Sequence, residues 1–145
     1  MRRFLYDTTV FVYAAGADHR YRDPCRAILE RATAGALTGE ASVELVQEFA
    51  HVRLRRGSER QAALELAGAV AQLCRLHAFE PADLPLMMTL LARHAELSAR
   101  DAVHAATALN RGVTAILTAD RHFDVIDGLE RVDPLDTAAV DALAT

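Results

Sequence analysis

Lysine is absent from this chain: all 16 of its basic residues are arginine. Together with the abundance of alanine this points to a GC-rich coding sequence rather than to a function. The 20 acidic residues leave a formal net charge of −4. That excludes recognition of nucleic acid through overall charge, although a local arginine stripe would suffice. Aromatic residues are few, at 6%, yet 52% of the chain is hydrophobic, which places it among globular rather than disordered sequences. Only two cysteines occur, Cys25 and Cys74, and they form no C-x-x-C pair. They are expected to be reduced thiols of a cytoplasmic protein. No apolar stretch approaches the ~20 residues that span a bilayer. The N-terminal apolar run is cut by Asp7, so no signal peptide is expected. Repeats and low-complexity linkers are also missing, and 145 residues suit one domain, 1–145, with a real core.

What is present begins with Arg3-Phe-Leu-Tyr-Asp7-Thr-Thr. An apolar run without polar alternation reads as a strand covered on both faces, typical of a parallel sheet. Asp7 ends it, at the edge where open α/β sheets place their ligands. The sequence then predicts helices near Val10–Ala15, Pro24–Ala34 (with Asp23 as N-cap), Ser42–Arg55, from Ser58, from Asp83, from Ser98 and over Leu135–Leu143. Further strands are expected at Ala36–Thr38, Leu76–Phe79, Thr114–Thr118 and Glu130–Val132, with Met87 and Met88 in the core. Strands alternating with helices imply a three-layer parallel α/β/α sandwich.

Asp7, Glu48, Asp101 and Asp120 are the residues around which a site would form. Each has a plain structural reading. Asp7 and Asp120 would cap the helices that follow their strands. Asp101 completes the capping-box pattern Ser98-x-x-Asp101, and Glu48 would be a solvated helix residue like Glu44 one turn earlier. Together they say more. Asp7 and Asp120 each follow an apolar strand, so both lie at one sheet edge. Right-handed crossovers bring the start of the Asp101 helix to the same edge. Converging carboxylates repel unless a cation lies between them. With no Cys or His set in view, such a site favours Mg²⁺ or Mn²⁺ over Zn²⁺. It would activate a water and stabilise charge on a phosphodiester.

These stretches, Asp7-Thr-Thr, Val-Gln-Glu48-Phe, Ser-Ala-Arg-Asp101-Ala-Val-His and Leu-Thr-Ala-Asp120-Arg-His-Phe, resemble PIN domains. More narrowly, they resemble the VapC toxins of bacterial type II toxin–antitoxin pairs, over about residues 3–134. The resemblance implies a Mg²⁺-dependent endoribonuclease with strand order 3-2-1-4-5. It implies Asp7, Glu48, Asp101 and Asp120 as metal-holding catalytic residues and Thr118 and Asp124 as accessory positions. It further implies an RNA substrate, a homodimer and a cognate antitoxin whose C-terminal segment fills the active-site groove.

Two rivals remain in view. Glu48-x-x-His51 and Asp101-x-x-His104 have the spacing of di-iron half-sites, but that architecture needs four long helices, and strands interrupt these. A PIN-like scaffold that binds RNA or protein without cleaving it is the other, against which stands the presence of all four acidic residues. His104 reads as an orienting partner of a carboxylate. The arginines at 53, 55, 56 and 60 form either a solvated face or an RNA phosphate contact.

Overall fold

Phe4, Leu5 and Tyr6 lack polar alternation because both of their faces are covered. In the computed structural model, which describes residues 1–144, Leu5–Tyr6 forms the central strand β1. Phe4 and Tyr6 point into one apolar cluster and Leu5 into another, as a period of two requires. The other strands are β2 (Glu40–Ser42), β3 (Arg75–His77), β4 (Ala115–Leu117) and β5 (Glu130–Val132). They pair in parallel throughout, in the order β3-β2-β1-β4-β5. β4 repeats the two-sided pattern: Ala115 and Leu117 join the first cluster, Ile116 the second.

The helices divide accordingly. The first cluster takes residues from α1 (Thr8–Ala15), α2 (Arg22–Thr33), α3 (Val43–Arg55), α4 (Arg60–Leu73) and α7 (Thr137–Ala144). The second takes α5 (Leu84–Arg93) and α6 (Ala99–Asn110). The result is a three-layer α/β/α sandwich with every strand's carboxyl end at one edge. Gly35 (φ 80) and Gly57 (φ 79) close α2 and α3 in the left-handed region. The chain then turns back, Ala36 N–H donating to the Arg31 carbonyl at 2.9 Å and Ser58 N–H to that of Arg53 at 3.2 Å.

Several local expectations move. The second strand lies at Glu40–Ser42, not at Ala36–Thr38. A charged residue hides it from a hydrophobicity reading. Glu40 is buried in the sheet because Arg3 donates two hydrogen bonds at 2.8 Å and His77 pairs with it at 2.6 Å. The Arg3 guanidinium, helped by His77, holds the Glu40 carboxyl down at about 2 against the effect of burial. Leu37, buried too, packs from the connection.

Asp23 does not cap α2. The helix begins at Arg22, which puts Pro24 in the first turn, where a missing N–H leaves no bond unmade. Glu59 rather than Ser58 caps α4, accepting the N–H groups of Gln61 and Ala62 at 2.9 Å each. Asp83 ends a 3-10 turn, Pro81–Asp83, where it accepts from Glu80 N–H, Asn110 and Arg111 instead of capping α5. The third strand spans Arg75–His77 and the fourth stops short of Thr114 and Thr118. Met87 packs against the second cluster, whereas Met88 is 59% exposed, so only one of the pair is core. Cys25 and Cys74 are unpaired and buried, and burial pushes both thiols up to about 12. Among the described residues no helix is long and apolar enough to cross a membrane.

Gly39 marks the tightest approach. A Cβ there would overlap the Tyr6 ring, which is itself fully buried. Gly39→Ala is expected to lower unfolding free energy by about 1–3 kcal/mol through overpacking. Urea denaturation checks it, and a midpoint equal to wild type would contradict the packing described.

Candidate functional site

Asp7 stands where β1 stops and α1 begins, at the carboxyl edge of the sheet, and is 3% exposed. Its Oδ2 accepts hydrogen bonds from the hydroxyls of Thr118 at 2.6 Å and Thr9 at 2.8 Å. Thr118 sits just beyond β4 and also accepts the Asp120 N–H at 3.0 Å. One hydroxyl therefore ties the ends of the two central strands together and sets the spacing of two aspartates. Asp120 does cap the 3-10 turn that follows it, Arg121–Val125, by accepting the His122 N–H at 2.9 Å. At α6 the cap is Ser98, whose Oγ accepts the Asp101 N–H at 3.1 Å. The Asp101 carboxylate is left to face the cavity.

That carboxylate is the electrostatic signature of the site. Burial, then the charges of Asp7 and Asp120, push it up to about 6, while Ser98 and His104 oppose the shift. Glu48 behaves differently. Burial alone would raise it, but hydrogen bonds from His104 and Thr8, with the charges of His104 and Arg100, hold it below its usual range. Thr8 donates to Glu48 Oε2 at 2.7 Å, His104 Nε2 lies 3.1 Å from the same oxygen, and Arg100 lies 3.7 Å from Oε1. His104, 1% exposed, has no partner at Nδ1 among the described residues. Burial disfavours its charged form, yet Glu48, Asp7 and Asp101 together raise it.

Asp7, Glu48, Asp101 and Asp120 line one cavity of about 860 Å³, together with Arg56 and His122. Within it Asp101, Asp120 and His122 each present one ligand atom, all within 4.8 Å of one another. Three donors this close, two of them carboxylates and one of those raised by its neighbours' charge, fit a divalent cation. Asp7 and Glu48 lie outside that closest trio. His122 joins the carboxylates there, its Nδ1 3.3 Å from Asp120 Oδ1. The sequence signal was its place two residues beyond Asp120, on a turn too short to carry it elsewhere.

Other candidates sort cleanly. Glu44 is exposed and lines a small separate recess, not the main cavity. Asp124 is drawn away by Arg131, which donates to it at 2.7 Å, and it does not line the cavity. Of the arginine group, Arg53 donates to the Ala15 carbonyl at 3.1 Å and Arg56 reaches the cavity wall.

Comparison with known proteins places the chain in a family and matches its fold. The family model described as PIN domain matches residues 4–129. Ribonuclease VapC7 of Mycobacterium tuberculosis is 37% identical over 131 residues, covering 88% of this chain and 89% of that protein. Among solved structures, M. tuberculosis VapC20, described as a sarcin-ricin loop cleaving toxin, superposes with a TM-score of 0.70. It shares 18% identity over 83% of this chain and 92% of that one. A toxin–antitoxin complex from Klebsiella pneumoniae gives 0.63 at 17% identity, covering 92% of this chain and 98% of that one. At such identities the two structures speak for the fold alone.

The raised Asp101 carboxyl has a stability consequence. Its folded value exceeds its unfolded one, so the folded chain holds the extra proton between about pH 4 and 6. Without metal, stability is expected to fall as pH rises through that window. The loss is roughly 1–2 kcal/mol once partial solvent exposure is discounted. Asp101→Asn is expected to flatten the profile and melt higher than wild type at neutral pH in chelator. Thermal melts at pH 4.5 and 7 decide it, and parallel profiles for the two proteins would refute the assignment.

Proposed function

The chain belongs to the PIN domain family, among its VapC-type members, and from that membership we propose that it is the endoribonuclease toxin of a toxin–antitoxin pair, dependent on Mg²⁺ or Mn²⁺. The observation that carries the reading is geometric: Asp7, Glu48, Asp101 and Asp120 line one cavity, and ligand atoms of Asp101, Asp120 and His122 lie within 4.8 Å of one another. A fold that gathers uncompensated negative charge in an open cavity is built to accept a cation.

Asp101 and Asp120, with His122 beside them, are the groups that would hold the ion, and Asp7, fixed by Thr9 and Thr118, adds its charge from the strand end. When bound, a divalent cation polarises a phosphoryl oxygen and lowers the pKa of water. Glu48 has a separate task. Its charge is already balanced by Thr8, His104 and Arg100, so it stays ionised and positioned as a hydrogen-bond acceptor. It would align the attacking water, whose oxygen forms the new bond to phosphorus as the P–O bond to the leaving oxygen breaks. His104 is the residue that keeps Glu48 in place. Arg56 and Arg100 on the cavity wall would meet the backbone phosphates.

An antitoxin partner is supported by a second groove of about 600 Å³ between α1, α2, α3 and α4, walled by Phe11, Leu29, Leu66, Val70 and Leu73. Its apolar lining suits an amphipathic segment of a partner chain. A homodimer completes the reading on family grounds.

Two measurements test it. RNA cleavage by the purified protein is expected to require Mg²⁺ or Mn²⁺ and to stop in EDTA; equal cleavage in excess chelator would overturn the metal-dependent mechanism. Glu48→Gln is expected to lower the cleavage rate by about 10²-fold or more, whereas Glu44→Gln stays near wild type. The reverse ranking would place the water-aligning role on the wrong turn of α3.

A further inference from the structure

One wall of the carboxylate cavity is aromatic. Tyr13, on the last turn of α1, and His19, in the loop leading to α2, both line it. Their rings stack with centroids 4.5 Å apart and planes at 23°. Tyr21 extends the set, 5.2 Å from Tyr13 and 5.9 Å from His19, at 23° and 20°. The three planes are thus nearly parallel. Tyr21 is buried, Tyr13 half-buried and His19 exposed, so the three rings form a compact group with His19 on its open side. The exposed ring is held before any ligand arrives, because the Tyr21 N–H donates to His19 Nδ1 at 3.2 Å. Gly16 and Ala17, which line the cavity beside it, carry no side chain larger than a methyl group.

An exposed imidazole gains little from burial, and here it keeps a flat face beside the carboxylates. A planar, preset, partly open surface beside a phosphodiester-cleaving centre is what an unpaired nucleobase needs, since every base offers a π-face. Positive charge lies at either side of the stack. Arg20 sits 5.2 Å over the Tyr21 ring. The Arg56 guanidinium lies 3.9 Å from where a Gly16 Cβ would be.

We propose that Tyr13 and His19 form a stacking subsite for one unpaired RNA base next to the scissile phosphate. The proposal rests on the ribonuclease reading above and adds to it a place that holds a base. His19 supplies the exposed face, Tyr13 supports it from below, and Tyr21 fixes the orientation. Because the rings are preorganised, little conformational entropy is lost when the base docks.

The test uses a fluorescein-labelled single-stranded RNA of about twelve nucleotides and the full chain carrying Asp7→Asn, to hold the RNA uncleaved. Bases are removed one at a time as abasic positions, and binding is followed by fluorescence anisotropy. Removal of one base is expected to weaken binding about five- to tenfold. With His19→Ala added, the same removal should change binding less than about twofold, the loss having been taken already. His19→Phe, which keeps a flat ring, should restore sensitivity to that base, and His19→Gln should not. In the cleavage-competent protein His19→Ala should raise KM more than it lowers kcat. RNA that is bound and cleaved with an abasic profile indifferent to His19 overturns this proposal and leaves the nuclease reading standing. A wild-type chain that neither binds nor cleaves RNA in Mg²⁺ or Mn²⁺ overturns both.

Discussion

The molecule is organised around negative charge held at one edge of a parallel sheet. β1 and β4 are neighbours, so the aspartates that follow them are brought together by strand pairing itself. α6 starts at the same edge and adds Asp101. The Thr118 hydroxyl ties the two strand ends through Asp7 and the Asp120 amide. The apolar clusters on the two faces of the sheet therefore hold the carboxylates against their mutual repulsion. An acidic cluster that could bind a metal ion is thus a product of the fold.

Two other acidic residues show how the same chemistry is made inert or useful by its surroundings. Glu40 is more deeply buried than Asp101, yet its carboxyl is held at about 2 by Arg3 and His77, and it stitches β2 to its neighbours. Asp101 has carboxylates for neighbours and is raised to about 6. Glu48 lies between these cases, inside the cavity but supplied with Thr8, His104 and Arg100. Burial alone does not separate structural from functional acids. The sign of the surrounding charge does: cationic partners hold Glu40 and Glu48 down, while neighbouring carboxylates raise Asp101.

The two grooves divide the remaining work by chemistry. The polar cavity has carboxylates on its floor and an aromatic wall at Tyr13 and His19. The second groove is apolar and lies over α1 and α2, so α1 contributes to both: Tyr13 to one and Phe11 to the other. A ligand in either groove therefore rests on the same eight-residue helix, directly after Asp7.

Periodicity and punctuation determined the class of fold, a parallel α/β sandwich, while the strand order came only with the resemblance to PIN domains. Phe4-Leu5-Tyr6, with no polar alternation, meant a strand covered on both faces, and each apolar run ending in an acid meant a ligand edge. Gly35 and Gly57 marked helix ends because the left-handed backbone there disfavours side chains. These are local signals, and they survive without a partner in space. What depended on distant residues was not legible. β2 stayed hidden because Glu40 reads as surface until Arg3 and His77 arrive from other strands. The Tyr13–His19 stack and the opposite shifts of Glu48 and Asp101 had no signature either. Each is a relation between groups whose distance, burial and neighbouring charge exist only once the chain has closed.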